Sequence, residues 1–324
     1  MSTQNTATPQ SRDFFLDTYR YLRGGMAVMI VMLGASVIGE RLDATCWQGS
    51  ISAYYYTSAH AVFIAALCSI GTQLIVYKGS TDTEDTLLNL AGILAFVVAL
   101  VPTQLPERLC GESPPVVTSG PAITNNIWAV VIAMAAAQIV AWWLYWRAGG
   151  DHHRSLLGEI TVWALRLVIA VGLVGFIFFR DLFYGHAHGV AAVIMFIAII
   201  ITVVITAFLV SKQQSPHQGA YQRAYQIVAA LMGLTLLLVI AVHFAWGWNH
   251  WVIALESALI LEFAAYWVIQ TIELWQAPSR IELIPEQMQP QLAQRREKAG
   301  PTGLVKDIRD MTQYPKDERL MRAL

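Results

Sequence analysis

Eight apolar stretches of 16 to 24 residues alternate with short polar connections along the chain, at 19–38, 58–77, 87–102, 127–146, 162–179, 190–210, 227–246 and 251–274. A helix rising 1.5 Å per residue needs about 20 residues to cross a hydrocarbon core of about 30 Å. The pattern therefore predicts an all-α fold: a polytopic transmembrane helix bundle of about eight spans with both termini cytoplasmic. Three parts follow: a cytoplasmic N-terminal segment (1–18), the bundle (19–275) and a cytoplasmic tail (276–324). In the tail, Leu304, Val305, Ile308 and Met311 recur at helical spacing, predicting a short amphipathic helix near 303–312, with the rest disordered. The aromatic and basic stretch 13–23 suits an interfacial helix leading into the first span.

Charge adds a direction to this pattern. With the N-terminus inside, the inner segments hold Arg12, Arg20, Arg23, Lys78, Arg147, Arg154, Lys212 and Arg223, and the tail holds nine more, making 17 cations. The outer loops hold Arg41, Arg108 and Arg180 only, and Arg166 lies inside a span. This asymmetry is the positive-inside pattern. Composition agrees, with 56% hydrophobic and 13% charged residues, and a net charge of −1 offers nothing to nucleic acid. The first span is too long for a cleaved signal and serves as the targeting element itself. The bilayer is the expected partner, with a lipid or small-molecule ligand and a homo-oligomer as further candidates.

Three cysteines exclude a disulfide scaffold. Cys46 and Cys110 fall in the first two outer loops and are candidate disulfide partners; Cys68 lies within the second span. The pairs Gly172/Gly175 and the run 135–137 suit close helix packing.

Charged groups at membrane depth need an explanation. Arg166 in the fifth span and Glu262 in the eighth are placed to form a buried ion pair. The outer half is richer. His60, His186, His188, His243 and His250 all fall near that face, with Asp181 and Glu256 beside them. Imidazoles with a carboxylate suit zinc, and a zinc-bound water there could hydrolyse a lipid ester or amide. His186 and His188 are read as loop residues, and no HExxH spacing occurs. Facing histidines could also ligate haem. The run SISAYYYT contributes Ser52, Tyr54, Tyr55, Tyr56 and Thr57, which read either as an aromatic belt or, with His60, His188, His243 and Glu256, as the re-entrant lip of an outer-facing pocket.

The runs QGSISAYYYT (48–57), AVFIAALCSIG (61–71) and NLAGILAFVVALVPT (89–103) resemble a family of uncharacterised bacterial multi-pass inner-membrane proteins. The resemblance continues at HGVAAVIMF (188–196), YQRAYQIVAALMG (221–233) and the span around Glu256. It implies a bacterial plasma-membrane location, a six-span core to which the fourth and fifth spans add a hairpin, and no established activity. A looser similarity to seven-span metal-dependent lipid hydrolases lacks their His-x-x-x-His spacing.

Three functions follow. The first is binding or transport of a small molecule or lipid through an outer-facing polar pocket. The second is a zinc-dependent intramembrane lipid hydrolase. The third is an envelope scaffold or sensor acting through the tail. Whether the chain is an enzyme is left open by the sequence.

Overall fold

The computed structural model describes residues 9–106, 109–111, 115–147, 154–246, 250–289, 307–311 and 313–324. Eight long helices follow one another: α1 (Pro9–Ala44), α2 (His60–Val76), α3 (Asp82–Leu100), α4 (Gly120–Arg147), α5 (Leu156–Phe178), α6 (Arg180–Val210), α7 (Gln218–Trp246) and α8 (His250–Glu273). Two short 3-10 turns, η1 (Ser52–Tyr56) and η2 (Arg280–Leu283), a helical stretch at 307–311 and a terminal helix α9 (Lys316–Ala323) also occur among the described residues, which contain no strand.

Seven of the helices are long and apolar enough to cross a membrane; α2 is the exception, with 17 residues. At 1.5 Å per residue it rises about 25 Å. It nonetheless runs from one end of the bundle to the other. It begins beside η1, and the residue that caps it, Tyr77, has a hydroxyl that accepts from Arg23 Nε of α1 at 3.2 Å. Arg23 also donates to the carbonyls of Leu274 and Pro278 at 2.9 and 2.8 Å, just past α8. The early part of α1 and the exit of α8 thus share one end of the bundle, which we call the tail end. The other, the disulfide end, carries η1 and the two cysteine loops.

Six helices close a ring in the order α1, α2, α3, α6, α7, α8, each packed on the next and α8 on α1. The hairpin α4–α5 leans on α3 and α6 from outside. It is the least buried pair, as apolar side chains turned to lipid would be. Among the described glycines, backbone meets backbone where α2 crosses α3. A Cβ on Gly92 would sit 2.5 Å from the Gly71 carbonyl oxygen, and one on Gly71 would sit 2.8 Å from that of Gly92. Gly172, expected at a close contact, has nothing within 4 Å of a built Cβ, and at Gly175 the nearest atom is 3.7 Å away.

The sequence expectations need three corrections in the fold. Residues 13–23 form no separate interfacial helix but belong to α1. Helix α6 begins ten residues before its apolar run, so Asp181, His186 and His188 are helical rather than in a loop. Its extra turns are held by Phe183, stacked against Phe176 at 5.4 Å, and by the Tyr184 hydroxyl on Thr124 at 2.6 Å. The tail is not loose where it is described. Ala277, Ile284, Met321 and Leu324 are buried, and the last three join the main core, because apolar side chains there gain by leaving water. Of the expected helix at 303–312, residues 307–311 are helical and the others lie outside the described residues.

Candidate functional site

At the disulfide end, η1 is a plug. Its sequence puts Tyr54, Tyr55 and Tyr56 on a tight turn where all three side chains are buried among Leu33, Val37, Phe63 and Ile253 of α1, α2 and α8. They are therefore neither a belt facing lipid nor the lining of an open pocket. Buried phenols usually find a partner for the hydroxyl, and two of these three do, the Tyr54 hydroxyl being enclosed without one. Tyr55 shares a hydrogen bond with the Thr118 hydroxyl at 2.9 Å, and Tyr56 donates to the Thr103 carbonyl. The Val116 N–H returns a bond to the Tyr56 carbonyl at 2.9 Å. Burial pushes all three phenols up, Tyr56 to about 12.

The loops around η1 are cross-linked. Cys46 and Cys110 form a disulfide with their Cα atoms 5.9 Å apart. Beside it, the Gln48 amide donates to the Cys110 carbonyl at 2.9 Å and accepts the Cys110 N–H at 3.1 Å. Gly111, at φ +101°, then turns the chain away against Ala44.

Two polar side chains from distant helices hold the start of η1. Glu256 of α8 accepts the Ile51 N–H at 2.6 Å, and the Ser52 N–H also points to it. A carboxylate on the free N–H groups of a helical turn is favourable through both hydrogen bonding and the turn's dipole. His188 of α6 is buried, with Nδ1 2.7 Å from the Val101 carbonyl and Nε2 2.9 Å from Ser52 Oγ. A carbonyl can only accept, so Nδ1 carries the proton and Nε2 receives the Ser52 hydroxyl. Thr57 closes the turn by donating to the Tyr54 carbonyl at 3.0 Å, and His60 Nδ1 lies 2.5 Å from the Tyr55 carbonyl. Ser52 is the one half-exposed residue of η1.

The described members of the expected zinc set do not converge. His60 and His188 spend ring nitrogens on backbone and serine, while His186 is exposed with Nδ1 3.2 Å from its own Leu182 carbonyl. Asp181 is exposed too. Among the described residues no three His, Cys, Asp or Glu side chains group as metal ligands. The side chains of His243 and His250 lie outside the described set. Neutral His188 has no lone pair left for a metal or haem iron. The Arg166–Glu262 pair is not formed either. Glu262 Oε1 takes the Thr235 hydroxyl at 3.0 Å, and the Arg166 guanidinium lies over the Trp163 ring at 5.1 Å. Each side chain meets a neighbour on its own or the adjacent helix instead, and Glu262 Oε2 is left buried without a partner.

The tail end holds a second lock, centred on η2. Arg280 points into the bundle with its side chain 1% exposed and meets Glu273 Oε2 at 3.1 Å, a carboxylate equally buried. Tyr225 donates to the same oxygen at 2.5 Å, and Gln213 donates to Glu273 Oε1 at 2.8 Å. The Gln270 amide oxygen, oriented to satisfy its neighbours, accepts from both Arg280 Nη atoms at 3.0 and 3.1 Å and from the Tyr77 hydroxyl at 3.2 Å. Burial works against the Arg280 charge, but Glu273, Tyr225, Tyr266 and Glu84 outweigh it and hold its pKa well above the ordinary arginine range.

Glu84 completes the lock. Thr81 caps α3 by accepting the Glu84 N–H at 3.2 Å, while the Glu84 carboxylate accepts the Ser80 N–H at 2.7 Å and the Thr206 hydroxyl at 3.2 Å. Ser80 Oγ in turn accepts the Arg280 N–H at 3.2 Å. Two buried arginines, Arg23 and Arg280, thus stand with two buried carboxylates, Glu84 and Glu273. A balanced set is what a low-dielectric interior tolerates.

Between the locks the core is apolar, with Ala91, Ala95, Val98, Met195, Ala198, Leu259 and Phe263 all buried. The fold and these two ends define a multi-pass integral membrane protein, closed at both ends by short turns. Comparison with family models, curated proteins and solved structures gives no match to this chain.

Proposed function

We propose that the protein is a carrier or receptor for a small molecule or lipid, with η1 as its outer gate and η2 as its inner gate, in a bacterial inner membrane. The observation that carries this reading is on α8. One of its carboxylates, Glu256, holds the η1 plug, and another, Glu273, holds Arg280 of the η2 plug. Each plug is a short turn fixed by polar contacts rather than a long packed helix, so each can be released without dismantling the ring. Ionisable side chains at membrane depth are costly and are read as functional by default, with substrate paths among their uses. The cation asymmetry and the disulfide both support a disulfide end that faces outside. The likeness of QGSISAYYYT to uncharacterised bacterial membrane proteins fits this address and brings no activity with it.

The test needs no substrate. Cysteine is placed at Ala198, between the two locks, in a chain also carrying Cys68→Ala, and is challenged with a membrane-impermeant maleimide. The reading expects no labelling in the closed protein. It expects labelling from outside when Glu256→Ala is added, and from inside when Arg280→Ala is added. An Ala198→Cys chain, and a matching Ala95→Cys chain, that stay unreactive in both backgrounds would overturn it.

The contact of Ser52 with His188 favours a second reading, a hydrolase of the membrane surface. A half-exposed hydroxyl hydrogen-bonded to a neutral imidazole whose other nitrogen is oriented by a carbonyl is the arrangement of an activated nucleophile. Labelling of Ser52 by a fluorophosphonate, lost in His188→Asn, is its expected result. An unlabelled Ser52 in folded protein ends it.

A further inference from the structure

A groove of about 530 Å³ runs along the flank of the ring at the tail end, between the last two turns of α6 and the early turns of α7. Its walls are Val204, Ala207 and Phe208 from α6 and Ala229 and Ala230 from α7, and Leu320 of α9 closes one side. Polar groups gather at one level only, where Ser211, Gln222 and Gln226 line it. This is an amphipathic slot, apolar along its length and hydrogen-bonding at its mouth. Its volume lies within the range of small-ligand sites.

Lys212 follows Ser211 at that mouth, its Nζ 5.5 Å from the centre of the Phe208 ring that lines the groove. Among the described residues no carboxylate lies within ion-pairing distance of it. It is thus a cation at the rim of an apolar slot, at the end of the bundle where cations collect. Both neighbours of the slot face the hydrocarbon, with Val204 and Ile227 more than half exposed.

We propose that this groove holds one acyl chain of an anionic phospholipid whose headgroup pairs with Lys212 and hydrogen-bonds to Gln222 and Gln226. Because Leu320 forms one wall, the lipid and the docked tail stabilise one another. The tail's last helix is joined to the core through Met321 and Leu324, and the Thr83 hydroxyl donates to the Leu324 carbonyl at 3.3 Å. A bound chain therefore favours the arrangement in which the C-terminus is seated under α3. This inference is independent of whether the molecule carries a substrate.

The test uses the full chain in a neutral detergent, with phosphatidylglycerol and phosphatidylcholine of identical acyl chains as probes, read by native mass spectrometry and by the shift in Tm. One phosphatidylglycerol is expected to bind tightly per chain, with phosphatidylcholine several-fold weaker. Lys212→Gln should reduce that preference by about fivefold, the share one lysine carries at an anionic surface. Ala230→Trp, which fills the groove from its exposed rim, should remove binding of both lipids without lowering the lipid-free Tm. Equal binding of the two lipids by the parent chain, or a preference untouched by Lys212→Gln, would overturn the proposal. So would tight binding that survives Ala230→Trp.

Discussion

Glu256, near the start of α8, accepts the N–H of Ile51 at 2.6 Å across a separation of 205 residues. It is the longest-range contact holding η1, and it fixes the plug to the last helix of the ring. Replacing Glu256 by Ala leaves the Ile51 N–H without an acceptor, a loss of about 1–3 kcal/mol for a group shielded from water. Hydrogen exchange of the Ile51–Ala53 amides should quicken in Glu256→Ala, with Glu256→Gln intermediate because its carbonyl oxygen still accepts. Unchanged protection of Ile51 would show that the carboxylate does not hold the plug.

The disulfide acts on the same region from the loop side. Cys46 and Cys110 are 64 residues apart, and closing a loop of that length is worth about 4 kcal/mol in the chain-entropy account. Helices already confined to a bilayer have less freedom to lose, so a smaller effect, about 2 kcal/mol, is expected here. Cys46→Ser and the double serine variant should lower Tm equally, and reductant should lower the parent to the same value. A Tm unmoved by reductant would mean that the Gln48–Cys110 backbone bonds suffice.

How much of this was legible in the sequence differs between the two ends. The spans were legible because lipid demands long apolar runs, and side assignment alone brought Cys46 and Cys110 together as candidates. Ser52, His188 and Glu256 were also marked, although as a pocket rim or as zinc ligands. What the pattern missed was that a tyrosine triplet can be wholly buried when two of its three hydroxyls find loop partners and the third, on Tyr54, is enclosed without one. The tail-end lock was missed for a different reason. Arg23 was counted as an inner-surface cation, yet it is 0% exposed, its guanidinium bound to two carbonyls and the Tyr77 hydroxyl. Arg280 lay in an aperiodic stretch read as disordered, where no hydrophobic period could signal burial. One signal was available: Thr81-x-x-Glu84 has the spacing of a capping box, and Glu84 is where that end is knotted together.

That knot makes a specific prediction about coupling. Removing one member of a buried charge pair strands the other, at about 3–5 kcal/mol, whereas removing both as similar-sized apolar groups costs far less. Arg280→Met and Glu273→Met should each lower stability strongly, and the double variant should recover much of the loss. A double-mutant cycle read by denaturation in detergent measures this. Simple additivity of the two losses would show that Arg280 and Glu273 act separately, with Tyr225 and Gln270 carrying the contacts.

The crossing of α2 and α3 offers a last prediction, set against a control on α5. A methyl at Gly92 would lie 2.5 Å from the Gly71 carbonyl oxygen and 2.7 Å from Ile75 Cγ1, and the first of these is backbone that cannot rotate aside. Gly92→Ala must therefore push the two helices apart, at about 1–3 kcal/mol for an overpacked contact. The movement reaches the tail-end lock, because α3 carries Glu84 two turns away on one side and α2 ends at Tyr77. Gly172 on α5 has nothing within 4 Å of the same added methyl. There the better helix propensity of alanine acts alone, leaving Gly172→Ala neutral or stabilised by up to about 1 kcal/mol. Tm should thus fall in Gly92→Ala and stay level or rise in Gly172→Ala. Equal shifts would mean that α2 and α3 are not in backbone contact, and that the close packing lies on the hairpin after all.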